Sequence, residues 1–278
     1  MPGPLILSHL PSCCPPGSEE TTAEAGTLTE NGLTDDLELF ILLYGTGKMV
    51  KYEALFFDMD GTIVENGSLM PAAFQKAFGN HGLSISIDPW RGSGATDYEV
   101  MDIYLSDYPF SDEQKNELKE KIAEDLRANV IRQVRQSSLN ALPGVPELIA
   151  KLIELGIKPG LLTGNLEAIV GPKLTAAGMK REDFYYGGFG DHSPNRPETA
   201  RRALASASAY FGHEIDPSRA LVIGDTPNDI ACARAVHADV LAVATGRFSV
   251  DQLSEYHPDH LLPDLSDTAG FLKIIGAA

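Results

Sequence analysis

The chain has 278 residues, 43% of them apolar, including 11 Phe and 9 Tyr, a globular composition large enough to bury a core without disulfide staples. Its 22 lysines and arginines face 39 aspartates and glutamates, a formal net charge of −17, which excludes a broad electrostatic grip on nucleic acid or anionic lipid. No apolar run reaches the length of a transmembrane helix, and the three cysteines form no CxxC; a cytoplasmic protein is expected.

Residues 1–48 carry seven acids against one base, Lys48, and their stretch 11–18 is turn-rich without any period. That composition fits neither a basic transit peptide nor a signal peptide, and it predicts a disordered acidic extension with the folded chain starting at Met49.

From Met49 onward, short apolar runs alternate with helical patterns. The runs 54–57, 160–162, 220–223 and 240–243 read as buried strands, and 145–156, 166–178, 197–212 and 228–237 read as helices. Strand–helix alternation predicts a doubly wound, Rossmann-like parallel α/β sheet with right-handed crossovers. The interval 64–142 breaks the alternation and reads as helices only. Its clearest helix opens at Ser111, where Gln114 three positions on completes a capping box, and Leu118, Ile122, Leu126, Val130 and Val134 follow at helical spacing. The expected organisation is a core of 49–63 and 143–278 with an inserted all-helical cap, 64–142. Arg127, Arg132 and Arg135 on the long helix are expected to form a solvated face.

In open parallel sheets, ligands sit outside the carboxyl ends of the strands. Three runs end there in polar residues: Asp58, Thr163 and, after Gly224, Asp225. In Asp58-Met59-Asp60-Gly61-Thr62, two carboxylates two residues apart reach one cavity with different tasks available, one to attack an electrophile and one to hold a proton for a leaving oxygen. A carboxylate approaching a phosphate must overcome charge repulsion, and Asp225 with Asp229 offers oxygen ligands suited to Mg²⁺.

These segments resemble the motifs of the haloacid dehalogenase superfamily of phosphohydrolases. The resemblance rests on Asp58-Met59-Asp60-Gly61-Thr62, Leu161-Leu162-Thr163-Gly164-Asn165, a basic residue opening a helix at Arg196-Pro197, and Gly224-Asp225-Thr226-Pro227-Asn228-Asp229. The helical insertion after the first motif, and Leu142-Pro143-Gly144-Val145 at its return, are similar to the phosphoglycolate phosphatase-like subgroup. The resemblance implies Asp58 as the nucleophile that becomes an aspartyl-phosphate and Asp60 as general acid and base. It implies Thr163, Asn165 and Arg196 as phosphate-binding groups. The implied metal shell is Asp58, the main-chain carbonyl of Asp60, Asp225 and Asp229, with Mg²⁺ as cofactor. Where the family commonly has lysine, this chain has Arg196, and Lys173 and Arg201 are the other candidates for that cation. In the insertion, the loop Arg91-Gly92-Ser93-Gly94-Ala95-Thr96-Asp97 is expected to face the site, with Arg91 or Thr96 contacting the leaving group.

The expected activity is Mg²⁺-dependent hydrolysis of a small organic phosphomonoester, such as phosphoglycolate or a sugar or nucleotide phosphate, by a monomer or homodimer. Three other readings share the fold. A phosphomutase would keep phosphate in organic form, a dehalogenase would need no metal acids, and a non-catalytic regulatory homologue would have lost the nucleophile or those acids.

Overall fold

The computed structural model describes residues 41–42 and 49–278, apart from 66, 89, 137, 138, 192 and 194. Most of the expected acidic extension, 1–48, therefore lies outside the described residues. Within it, β1 (Ile41–Leu42) pairs antiparallel with β2 (Met49–Val50), across the expected start of the folded chain.

The apolar runs form the centre of one sheet. β3 (Ala54–Phe57) and β4 (Pro159–Leu162) are buried at every position. Between them the chain leaves the sheet through α1 (Leu69–Gly79), α2 (Asp97–Leu105) and α3 (Asp112–Val134), and returns through α4 (Val145–Glu154). After β4 come α5 (Glu167–Ala176), β5 (Gly187–Gly188), α6 (Arg196–Phe211), β6 (Ala220–Gly224) and α7 (Pro227–Ala235). The chain ends with β7 (Asp239–Val243), α8 (Val250–Ser254), β8 (His260–Leu262) and α9 (Thr268–Ile274). The sheet order is β5-β4-β3-β6-β7-β8, with every pair parallel. β5 and β8 were not expected: two glycines, and three half-buried residues at an edge, carry too little apolar pattern to register as strands.

Successive strand side chains point to opposite faces, and β3 shows the division. Leu55 and Phe57 pack with α4 and α9, through Leu148, Leu152 and Phe271, while Ala54 and Phe56 pack with α6 and α7, through Ala203, Ala207 and Ala233. Helices thus cover both faces, as parallel strands require. The three helices of the insertion enclose a core of their own, including Phe74, Phe78, Met101, Leu105, Ile122 and Leu126, which also takes in Leu166 and Ile169 beside and within α5. The Ser111 capping box forms as expected, with both reciprocal hydrogen bonds in place. The outgoing and returning chains are tied together where they leave the sheet: Glu65 N–H donates to the Asn140 carbonyl at 3.0 Å and Leu142 N–H to the Ile63 carbonyl at 2.9 Å. Among the described residues, no helix is long and apolar enough to cross a membrane.

Candidate active site

Sheet register brings the polar strand ends to one level. Phe57 lies opposite Leu161 on one side and Ile223 on the other. The residues just beyond those partners are Asp58, Thr163 and Asp225. α5, α6 and α7 all begin at the same edge, so their positive ends face the space where these side chains meet.

Asp58, Asp225 and Asp229 form a buried cluster whose carboxylate oxygens lie within 4.8 Å of one another. One guanidinium faces the three acids. Arg196, at the first turn of α6, donates to Asp58 Oδ1 at 3.2 Å and also bonds Asp229 Oδ1. The other oxygen of Asp229 accepts from Thr226 N and Oγ1, at 3.0 and 2.6 Å, so this acid also caps α7. Thr62 Oγ1 donates to Asp225 Oδ1 at 3.2 Å, whereas Asp225 Oδ2 is buried with no hydrogen-bond partner among the described residues. Burial first, and then the charge of Asp229, push the Asp58 carboxyl up to about 7 despite the lowering effect of Arg196. Asp225 is raised well above the ordinary value of 3.8 by burial and by Asp229 and Asp58.

Those features fit a hard divalent cation. The donors are all carboxylate oxygens, negative charge is in excess, and one buried oxygen has nothing to bond. Two glycines hold Asp225 tightly: a Cβ on Gly61, whose φ is +95°, or on Gly246 would overlap its carboxylate. Asp60 was expected in the metal shell through its main-chain carbonyl, and its side chain turns elsewhere.

The Asp60 carboxylate is gripped by Lys173 Nζ, at 2.5 Å to each oxygen, and by Asn165 Nδ2 at 3.0 Å. Lys173 Nζ also donates to Asn165 Oδ1 at 2.6 Å, which leaves this wholly buried ammonium fully engaged. Lys173 is thus bonded to Asp60, and Arg196 is the cation beside Asp58. Arg201 pairs on the surface with Glu198.

Asp58, Asp60, Thr163, Asn165 and Arg196 line one cavity of about 140 Å³, together with Arg91, Asp97 and Arg247. The wall opposite the strand ends is the loop of the insertion. Gly94 packs against Thr226 and Asn228, and Asn228 Nδ2 donates to the Ser93 carbonyl at 2.6 Å. Asp97 N–H donates to the Gly164 carbonyl at 2.8 Å, and the Asp97 carboxylate accepts from Leu166 N–H at 2.8 Å, capping α5 from outside its own chain segment. Burial pushes the Asp97 carboxyl up to about 7, partly offset by the Leu166 hydrogen bond and by Lys173.

The two loop residues expected to meet a leaving group are placed differently. Arg91 lines the cavity but is held in a two-pronged pair by Asp107, at 2.6 and 2.8 Å. Thr96 does not line it: its Oγ1 accepts from Glu99 N–H as the cap of α2 and donates to the Ser193 carbonyl at 3.1 Å. The arginines of α3 also divide. Arg132 and Arg135 are exposed as expected, whereas Arg127 reaches Asp191 beside α5 at 3.5 Å, because the long helix packs against α5.

Three residues of the site went unread or were read in another role. Lys173 follows Ile169 by one helical turn, on the apolar face of α5, and a lysine on a buried face is a signal in itself. Asp97 was noticed only as the end of a glycine-rich loop. Arg247 lies four residues past β7, whose end carries the apolar Val243 and Ala244, so no polar strand end marks it.

The model of a protein family described as haloacid dehalogenase-like hydrolases matches residues 52–237. A protein named pyrophosphatase PpaX, from Oceanobacillus iheyensis, is 23% identical over 228 residues, covering 80% of this chain and 96% of its own length. A phosphoglycolate phosphatase of Yersinia pestis is 25% identical over 226 residues, covering 79% and 94%. Among solved structures, CbbY from Rhodobacter sphaeroides in complex with phosphate superposes with a TM-score of 0.63 at 21% identity, over 78% of this chain and 96% of that one. A β-phosphoglucomutase from Clostridium difficile superposes with a TM-score of 0.60 at 20% identity, over 77% and 92%. These two likenesses concern the fold.

Proposed function

The chain belongs to the haloacid dehalogenase-like hydrolases, and we propose that it is a Mg²⁺-dependent phosphatase of small organic phosphomonoesters, with Asp58 as nucleophile. The observation that carries this reading is the division of labour between Asp58 and Asp60. Asp58 stands in the acid-rich cluster with Arg196, while Asp60, two residues on, is held apart by Lys173 and Asn165.

The residues act as follows. Asp58 Oδ attacks the phosphorus of the ester, and the bond to the leaving oxygen breaks as an aspartyl-phosphate forms. Asp60 delivers its proton to the departing alkoxide, then takes a proton from the water that hydrolyses the aspartyl-phosphate. Arg196 and Thr163 hold the phosphoryl oxygens, and the helix ends at this edge add positive potential. Asp58, Asp225, Asp229 and the Asp60 carbonyl would hold Mg²⁺, which when bound offsets the repulsion between the acids and the incoming phosphate and keeps Asp58 ionised at neutral pH. The helical insertion serves as a cap: with its loop bonded to the core at Gly164, Leu166 and Asn228, it forms the wall opposite the strand ends and narrows the access of bulk water.

The size of the cavity, about 140 Å³, supports a substrate near the small end of the expected range, a phosphate on two or three carbons rather than a nucleotide. Relatives named as phosphoglycolate phosphatases agree with that size. The test is release of inorganic phosphate from a panel of phosphomonoesters, with Mg²⁺ or with EDTA, beside Asp58→Asn. The expected result is release that needs the cation and falls at least about a thousandfold in the variant. Release that persists in Asp58→Asn overturns the mechanism, and phosphate that moves between organic positions without being freed identifies a mutase instead.

A further inference from the structure

The cavity holds three arginines, and they differ in what they already bond. Arg196 is engaged with Asp58 and Asp229, and Arg91 with Asp107 and the Ile103 carbonyl. Arg247 lines the same cavity, half-buried, and among the described residues its guanidinium has no hydrogen-bond or ion-pair partner. In a chain with 39 acids and 22 bases, a partly desolvated guanidinium standing among acids but bonded to none keeps its planar donor fork available.

Its neighbours define where that fork stands. Thr245 Oγ1 donates to the Gly61 carbonyl at 2.5 Å. Gly246 lies so close to Asp225 that a side chain would overlap the carboxylate. Phe248, on the other side, meets Trp90 of the insertion edge-on, with ring centroids 5.7 Å apart. The segment is therefore pinned to the acid cluster at one end and to the cap loop at the other, with Arg247, which lines the cavity, between those two anchors.

We propose that Arg247 binds a second anionic group of the substrate, on the leaving-group side of the scissile ester. The enzyme would then select small phosphomonoesters that carry a carboxylate or a further phosphate within a few atoms of the ester oxygen. This rests on the phosphatase reading above and adds to it a residue and a recognised group. A guanidinium paired two-pronged with a carboxylate or phosphate confers strength and orientation together, and at a buried site such a contact is worth about tenfold to a hundredfold in affinity.

Three probes of similar size test it: 2-phosphoglycolate, ethylene glycol bisphosphate, and 2-hydroxyethyl phosphate, which lacks the second charge. In wild-type enzyme with Mg²⁺, kcat/KM for one of the charged probes is expected to exceed that for 2-hydroxyethyl phosphate by about tenfold or more. Arg247→Met is expected to collapse that ratio toward one, and Arg247→Lys to keep part of it. The charged probe whose preference disappears identifies the group as carboxylate or phosphate. Dissociation constants measured by calorimetry in Asp58→Asn, with and without Arg247→Met, read the same ratio without turnover. The proposal is overturned if wild type shows no preference, if the ratio survives Arg247→Met, or if none of the probes binds. Phosphate release that depends on Asp58 beside an indifferent ratio would sink the Arg247 site alone. A binding ratio that follows Arg247 with no phosphate release would sink the hydrolase mechanism alone.

Discussion

Asp58 and Asp60 stand two residues apart on one loop, yet one side of the cavity has negative charge in excess and the other is balanced. On the Asp58 side, three buried carboxylates face a single guanidinium, and one oxygen of Asp225 has no hydrogen-bond partner among the described residues. On the Asp60 side, the carboxylate meets an ammonium at 2.5 Å and an amide at 3.0 Å. The first side has a charge excess that a cation from outside the chain would offset, whereas the second carries its own cation. That difference suits the two tasks proposed for them: a nucleophile must share its space with an incoming anion, while a proton carrier must keep a fixed position as its charge changes.

The largest expected effect breaks the acid-rich side. Asp225→Asn removes one of the three carboxylates proposed to hold the cation and should lower Mg²⁺-dependent turnover by about a thousandfold. It should also abolish the rise in melting temperature on adding Mg²⁺ to EDTA-treated protein, a readout that needs no substrate. Without the cation, the variant should melt no lower than wild type, because a buried acid crowded by like charges has been removed. A variant that keeps the full Mg²⁺ response would place the cation elsewhere.

A smaller effect is expected from the balanced side. Lys173→Met leaves Asp60 with only the Asn165 amide, so kcat should fall about a hundredfold while KM changes little. The carboxylate is 23% exposed, so solvent replaces part of the lost pair and the stability cost should be about 2 kcal/mol rather than the larger loss expected at a sealed site. Lys173→Arg should restore stability better than turnover, because a planar guanidinium cannot reproduce three contacts made by a compact ammonium. If Asp60→Asn and Lys173→Met lower kcat additively in a double-mutant cycle, the two side chains do not work together.

These two sides were not equally legible in the amino-acid order. Asp58, Thr163 and Asp225 could be placed together because each ends a run of buried strand residues, and parallel pairing fixes which ends coincide. Arg196 could be found because it opens a helix where the resembling family carries a basic residue. Lys173 was a candidate for the cation at the nucleophile, but its bond to Asp60 depends on the position of α5 relative to β3, and no local pattern encodes that. The insertion was readable as helices from the spacing of Leu118, Ile122 and Leu126. Its contacts with the core were not, because Asp97 caps a helix 69 residues away and Asn228 bonds a carbonyl 135 residues away. Arg247 lay beyond the strand-end rule: with Ala242 paired to Gly224, the β7 position level with Asp225 is the apolar Val243, and Arg247 stands four residues further into the following loop.

Asp97 offers the finest adjustment of the comparison, because its protonation decides how unlike the two sides are. It stands near Lys173 and Asp60, and when ionised it adds a negative charge to the balanced side. Burial raises it from the ordinary 3.8 to about 7, so the folded protein holds this proton over a range in which the unfolded chain has already released it. Stability from this group is therefore complete below about pH 4, declines as pH rises, and is lost above about pH 7. Asp97→Asn keeps an oxygen to accept from Leu166 N–H while carrying no charge at any pH. The stability of the variant relative to wild type, measured by urea unfolding, should then increase between about pH 4 and pH 7 and level off beyond. Its upper bound is ~4 kcal/mol for a shift of this size, reduced to the extent that Lys173 and the helix end stabilise the carboxylate. A difference that stays flat across that range would mean that Asp97 remains ionised in the folded protein, and that the Asp60 side carries two negative charges against the one ammonium.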